Sequence, residues 1–122
     1  MDQYDAMMTE ADVRRAALAL PGTSERSSYG TPGFRVRDKL FARLKDAETL
    51  VAFCADESEK LALIAEEPGR YYSTPHYDGY PSVLVRLSAL DEDGLADVLL
   101  ESWRVRAPRK LVAEFDAAPP QA

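Results

Sequence analysis

The sequence predicts an α+β domain: an antiparallel β-sheet with helices packed on one face, its elements in the order α-β-β-β-α-β-β-α-α. Three observations lead there. Apolar residues alternate with polar or basic ones through residues 34–44 and again through 83–87, as in half-buried strands. Short turn sequences join these runs, and strands joined by hairpins lie antiparallel. The flanking segments have helical spacing, opened by Thr or Asp and closed by Pro and Gly.

Thr9 caps the first helix, with Glu10 and Asp12 in its first turn, and Pro21-Gly22 stops it. Val13, Ala17 and Leu20 form its buried stripe. Residues 23–28 read as a polar loop. Residues 34–36 and 40–44 read as two strands about a tight turn at Arg37-Asp38-Lys39. Pairing Val36 with Leu40 across that turn places Phe34, Val36, Leu40, Ala42 and Leu44 on one face, and Arg35, Phe41, Arg43 and Lys45 on the other. Residues 49–54 form a third strand after the turn at Asp46-Ala47-Glu48. Residues 56–67 form a second helix, with Leu61, Ile64 and Ala65 inward and Pro68-Gly69 at its end. Asp78-Gly79 signals a two-residue type I′ turn joining residues 71–77 to 80–87. Asp91-Glu92-Asp93 opens a third helix running to Arg106, with Leu95, Val98, Leu99 and Trp103 at core spacing. Pro108 starts a short last helix through Phe115.

The chain has 122 residues, 46% hydrophobic and 30% charged, which fits one globular domain over 1–122 with a core at about 9–113. Residues 1–8 and 116–122 are expected to fray. At this size folding buries about two-thirds of the unfolded surface, so neither a disulfide nor a metal is needed for stability. No apolar run approaches the ~18 residues of a membrane span, and the N-terminus is acidic where a signal peptide is basic. The expected location is the cytoplasm, with no membrane partner.

Cys54 is the single cysteine and His76 the single histidine. They stand in separate segments and cannot close a tetrahedral zinc site, and Cys54 lies in an apolar run as a small hydrophobe does. Ser24, Ser27, Ser28, Ser73 and Thr74 lack the pattern of a nucleophile elbow, and Gly30-Thr31-Pro32-Gly33 lacks the lysine of a phosphate loop. His76 with Asp78 makes a weak acid-base pair without a nucleophile or oxyanion donor. Catalysis, a cofactor and a resident metal are not expected.

The net charge is −6, but it is segregated. Arg35, Arg37, Lys39, Arg43 and Lys45 face only Asp38 within residues 34–45, while Asp56, Glu57, Glu59, Glu66 and Glu67 face only Lys60 within 56–67. Two candidate sites follow. Arg35, Arg43, Lys45 and Arg86 around Phe41 can hold phosphates and stack a base on an exposed sheet face; solvated edge protection is the plainer reading. The tyrosine-rich segment 71–81, with prolines at 75 and 81, presents Tyr72, Thr74, His76, Tyr77 and Tyr80; a local aromatic cluster holding the hairpin is the plainer reading.

Residues Leu18-Ala19-Leu20-Pro21-Gly22, Ser28 to Val36, Lys39-Leu40-Phe41-Ala42 and Thr74-Pro75-His76-Tyr77 stand in the order in which the MmcQ/YjbR family carries its Leu-Pro-Gly, its Trp-Gly or Tyr-Gly, its Phe-Arg-Val strand, its basic-aromatic strand and its histidine-bearing hairpin. The chain resembles that family over roughly residues 9–113. The resemblance implies a fold like the bacterial frataxin homologue and the double-wing DNA-binding domain of a phage transcription factor, with hairpins as wings. It implies no established enzymatic activity or cofactor.

The leading expectation is therefore a non-catalytic binding protein that contacts duplex DNA weakly and mostly without regard to sequence. An alternative is a binder of a small aromatic or anionic molecule, using Tyr29, Tyr72, His76 and Tyr77 as a pocket. A third borrows iron binding from the frataxin-like fold, through Asp2, Asp5, Glu10 and Asp12. The sequence leaves the oligomeric state open.

Overall fold

The structure is a computed structural model that describes residues 8–118. Four helices and six strands follow in the order α1 (Glu10–Leu18), β1 (Thr23–Ser28), β2 (Thr31–Val36), β3 (Lys39–Asp46), β4 (Thr49–Phe53), α2 (Glu57–Glu66), β5 (Tyr71–Tyr72), β6 (Ser82–Arg86), α3 (Glu92–Arg106) and α4 (Arg109–Ala117). The strands form one antiparallel sheet ordered β1-β2-β3-β4-β6-β5. No helix among the described residues is long and apolar enough to cross a membrane.

The caps are those the sequence signals. The Thr9 hydroxyl accepts the Asp12 N–H at 3.3 Å while the Asp12 carboxylate accepts the Thr9 N–H at 2.8 Å, a reciprocal box at the start of α1. Asp56 accepts the Glu59 N–H at 2.8 Å and Asp91 the Gly94 N–H at 2.7 Å, capping α2 and α3.

One sheet face meets the helices. Phe34, Val36, Ala42, Leu44, Leu50, Ala52, Val83 and Val85 pack there against Val13 and Ala17 of α1 and Leu95, Val98, Leu99 and Trp103 of α3. Trp103 is fully buried, and its indole N–H donates to the Pro21 carbonyl at 2.9 Å, tying α3 to the loop after α1. Cys54 is buried in the same core, and burial pushes its thiol up to about 12. On the opposite face Val51 and Leu84 lie beneath Tyr72 and Tyr77.

Four expectations need correction. Residues 23–28 are not a loop but β1, an edge strand. Its residues 24–27 are exposed on both faces, so it carries no apolar row, and Arg14 pins its Glu25 at 2.6 and 2.9 Å.

The β2–β3 turn has two central residues, Arg37 and Asp38, both at positive φ (47° and 73°), as a type I′ turn requires. A bulge then shifts the register between Phe34 and Arg35, so that Leu40 pairs with Arg35 and Ala42 with Phe34. The extra residue is Phe41, which turns into the core and is fully buried, and Leu40 takes the other face.

In α2, Leu61 is 55% exposed and Ala65 is exposed, whereas Lys60 is 1% exposed. The apolar contact to the core comes from Leu63 and Ile64.

Segment 71–87 is not a two-residue hairpin. Only Tyr71 and Tyr72 pair with β6, and a nine-residue connection carries a 3-10 turn, Pro75–Tyr77. Asp78 has φ −62° and ψ 136° and Gly79 has φ +83°, the pattern of a type II turn, closed by the Tyr80 N–H donating to the Tyr77 carbonyl at 3.2 Å. Pro81 cannot donate to a ladder, so pairing with β5 ends short of it.

Candidate functional site

The connection 73–81 folds over the face that the helices leave free, where it makes one wall of a cleft of about 490 Å³. That volume lies within the range of small-molecule sites. Its floor is the outward row of the sheet, Leu40 of β3, Val51 and Phe53 of β4, and Ser82 of β6. These residues sit between strands whose other row is already in the core, so the alternation of each strand builds both surfaces.

Arg43 of β3 stands across from Val51 and reaches into the wall. One guanidinium nitrogen donates to the Tyr77 hydroxyl at 2.8 Å, another to the Thr31 hydroxyl at 3.4 Å, and the guanidinium carbon lies 5.2 Å from the centre of the Tyr29 ring. Five N–H groups in a fixed fork leave donors free for a ligand. Tyr77 itself is buried and packs on Val51 and Leu84. Tyr29 and Tyr80 are 89% and 62% exposed, and His76, edge-on to Tyr77 at 5.2 Å, is exposed as well.

Tyr29 is held in an unusual backbone state. It and Gly30 are the central residues of the β1–β2 turn, at φ 55° and 80°. Left-handed backbone suits Gly or Asn and disfavours an aromatic side chain by about 1 to 2 kcal/mol. A tyrosine kept there, almost wholly in water, gains nothing from burial.

The two sequence-derived sites thus merge in part. Arg43 from the basic set joins Tyr29, His76, Tyr77 and Tyr80 from the aromatic set. Arg35, Arg43 and Arg86 do share the open face, but Arg35 donates to the Asp38 carbonyl at 3.2 Å. Arg86 donates to the Pro68 carbonyl at 3.0 Å and lies over the Tyr72 ring at 4.1 Å. Lys45 is exposed at a second β3 bulge, and Phe41, expected among the cations, is in the core. Tyr72 belongs to Arg86, its hydroxyl 3.4 Å from that of Thr49. Thr74 gives its carbonyl to the Tyr77 N–H at 2.8 Å and does not line the cleft.

Missing from the sequence reading were the floor and one anchor. Val51 and Phe53 sit in a run that reads as uniformly apolar, the signature of a strand covered on both faces. Lys60 reads as an exposed charge in an acidic helix, yet its ammonium is buried under the cleft wall, 2.5 Å from the Tyr77 carbonyl and 3.0 Å from that of Tyr80.

A second groove, about 590 Å³, runs between α1 and α3. Of its acids, Asp12 is engaged in the capping box with Thr9, Asp91 caps α3 and Glu92 lies in the first turn of α3. Glu10 is paired with Arg14 at 3.0 Å, so two carboxylates of the iron reading are occupied, while Asp2 and Asp5 lie outside the described residues. Among the described residues no three His, Cys, Asp or Glu side chains stand together as a metal site.

The YjbR family model matches residues 18–105. The uncharacterized protein Rv2570 of Mycobacterium tuberculosis (strain ATCC 25618 / H37Rv) is 39% identical over 127 residues, which cover 89% of this chain and 96% of that one. The uncharacterized protein Mb2600 of Mycobacterium bovis matches to the same extent. The crystal structure of Deinococcus radiodurans protein DR2400, assigned a DUF419 domain, has the same fold, with a TM-score of 0.68 at 19% identity over 93% of this chain and 91% of that one.

Proposed function

The chain belongs to the YjbR family, and on that premise we propose that it is a non-catalytic binding protein that takes a small, flat, anionic molecule into the cleft between Tyr29, Arg43 and the 73–81 connection. One observation carries the reading. The Arg43 guanidinium is fixed between the Tyr29 ring and the Tyr77 hydroxyl at the rim of a cleft whose floor is apolar and whose outer tyrosines stand in water. Such a site offers a π surface for a planar ring and a cation for the group attached to it.

Naphthalene-2-carboxylate and its neutral carboxamide test this directly in an NMR titration of the labelled protein. The carboxylate should shift Tyr29, Arg43, His76 and Tyr80, and bind roughly tenfold more tightly than the carboxamide, the difference expected of a charge-assisted bond. Equal affinity of the two probes, or shifts confined to the groove between α1 and α3, would refute it.

Weak duplex-DNA binding is the second reading, supported by Arg35, Arg43 and Arg86 on one sheet face with exposed Lys45 beside them. If these four neutralise phosphates, log affinity falls against log salt with a slope of roughly −3 to −4. The same titration with a short duplex gives that slope. Absence of binding at low ionic strength removes this reading and leaves the cleft reading in place.

A further inference from the structure

The 73–81 connection has little regular structure of its own, yet it carries four of the residues that line the cleft, His76, Tyr77, Tyr80 and Pro81. Most of its hydrogen bonds are internal, the Tyr77, Asp78 and Tyr80 N–H groups donating to the carbonyls of Thr74, Pro75 and Tyr77 and the Ser73 hydroxyl to the Asp78 carboxylate. Apart from Lys60, the Cys54 N–H donating to the Pro81 carbonyl at 2.7 Å and Arg43 donating to the Tyr77 hydroxyl tie it to the sheet. Beneath the type II turn lies the Lys60 side chain, 1% exposed. Its ammonium donates to the carbonyls of Tyr77 and Tyr80, the first and last residues of the turn, from a helix whose apolar contact to the core comes from Leu63 and Ile64. Glu57, one turn earlier on α2, places a carboxylate oxygen 4.0 Å from the ammonium. That distance is too long for a hydrogen bond, so Glu57 contributes charge. The oxygen is buried and has no hydrogen-bond partner, which leaves its negative charge directed at the lysine.

A long, flexible, charged side chain is rarely buried unless its donors are satisfied, and a methionine fills the same volume without the desolvation penalty. What the lysine adds is direction: two carbonyls held at a fixed separation. We propose that Lys60 is the positioning residue of the cleft, an ammonium clamp that holds the Tyr77–Tyr80 turn in the conformation that closes the cleft wall. The clamp itself is independent of ligand; its effect on binding rests on the cleft being the ligand site. Loss of two charge-assisted bonds shifts the turn toward open forms, and affinity falls by the fraction that remains closed.

The test compares the wild type with Lys60→Met by amide hydrogen exchange, Trp103 fluorescence and naphthalene-2-carboxylate titration. Lys60→Met should keep the native Trp103 emission and a cooperative melt, while the Tyr80 amide exchanges about tenfold faster or more and core-strand amides such as Val85 change far less. Probe affinity should drop about tenfold with it. Unchanged exchange at Tyr80, or acceleration equal to that at Val85, overturns the clamp. If the wild type binds no probe, the cleft reading fails and the exchange data still decide the clamp. If Lys60→Met does not fold, the wild type suffices: its Lys60 ammonium protons should be slow enough to appear in a nitrogen-edited spectrum at neutral pH, with hydrogen-bond couplings to the Tyr77 and Tyr80 carbonyl carbons. Fast-exchanging ammonium protons without those couplings overturn the proposal.

Discussion

Replacing Tyr29 with Asn separates a side chain kept for binding from one kept for stability. Tyr29 sits at φ 55° in the β1–β2 turn and is 89% exposed, so its removal forfeits almost no buried area. Left-handed backbone disfavours tyrosine by about 1 to 2 kcal/mol, and Asn, which visits that region readily, recovers a large part of this. Against it stands the loss of the Arg43–Tyr29 contact at 5.2 Å, about 0.5 kcal/mol at an exposed site. The balance predicts Tyr29→Asn to be as stable as the wild type or more stable by up to about 1 kcal/mol. Urea melts followed by Trp103 emission measure this. Binding should go the other way. Stacking on one aromatic ring is worth about 1 to 3 kcal/mol, so naphthalene-2-carboxylate should bind at least about fivefold more weakly. A variant destabilised by more than about 1 kcal/mol would make Tyr29 an anchor of the hairpin, contrary to the balance above. Unchanged probe affinity would show that its ring is not part of the site.

Tyr77→Phe keeps the ring on Val51 and Leu84 and deletes only the acceptor for Arg43, so it should lose about 1 to 2 kcal/mol in the same melts; no loss would show that water replaces the hydroxyl fully. At Gly79 a Cβ meets no atom within 4 Å, but Gly79→Val forces a β-branched residue to φ +83°, which should remove about 1 to 3 kcal/mol, and an unchanged melting temperature would mean that the turn has another geometry. Cys54, its thiol pushed up to about 12 by burial, should react with Ellman's reagent at pH 8 no faster than the chain unfolds; rapid labelling of the native protein would contradict its burial. Asp12 is held below the ordinary carboxylate range by the Thr9 N–H and hydroxyl, Glu25 by Arg14, and Asp46 by the Glu48 N–H. Groups depressed in the folded state stabilise fully above their ordinary values near 4 and lose that contribution as pH falls through the folded values, so melting temperatures should hold from pH 7 to about 5 and drop below about 4. A flat profile to pH 2 would show these contacts to be energetically idle.

How much of this was legible varied with the kind of signal. Helix caps are local chemistry, and Thr9, Asp56 and Asp91 announce their helices because a short oxygen-bearing side chain satisfies an N–H three residues on. The core row of α3 was equally plain, since Leu95, Val98, Leu99 and Trp103 keep helical spacing over a long segment. Strand β1 was not, because residues 24–27 are exposed on both faces and so show no alternation of apolar and polar side chains. The β2–β3 bulge was not, because one inserted residue exchanges the faces of Leu40 and Phe41 without changing composition. The phase of α2 was not, because Leu61 fits the periodic pattern as well as Leu63 does, and a buried lysine is the reading that pattern ranks last.

The site was visible in fragments because sequence shows which residues carry charge or π surface, but not which of them are already engaged. Counting cations along residues 34–45 suggested a phosphate-binding face around Phe41. In the structure Phe41 is core, Arg35 closes its own turn, Arg86 is stacked on Tyr72, and of these cations Arg43 alone lines the cleft beneath the 73–81 connection. A guanidinium bonded to a carbonyl or stacked on a ring keeps its charge, and can still draw a polyanion through the solvent, but its directed donors are partly spent. Long-range attraction survives such engagement, whereas bidentate recognition needs free donors in fixed places. A ligand that Arg43 recognises must therefore be small enough to enter between Tyr29 and Tyr77, and flat enough to lie along Val51 and Phe53. If a duplex binds, this arrangement offers it only the field of the face. Arg43→Gln should accordingly abolish the preference for carboxylate over carboxamide, while any DNA contact should survive at low ionic strength, weakened only by one of its four cations, with a salt slope reduced by about one unit. Equal loss of both activities would mean that one surface serves both ligands, and the distinction drawn between the cleft and the surrounding cations would fail.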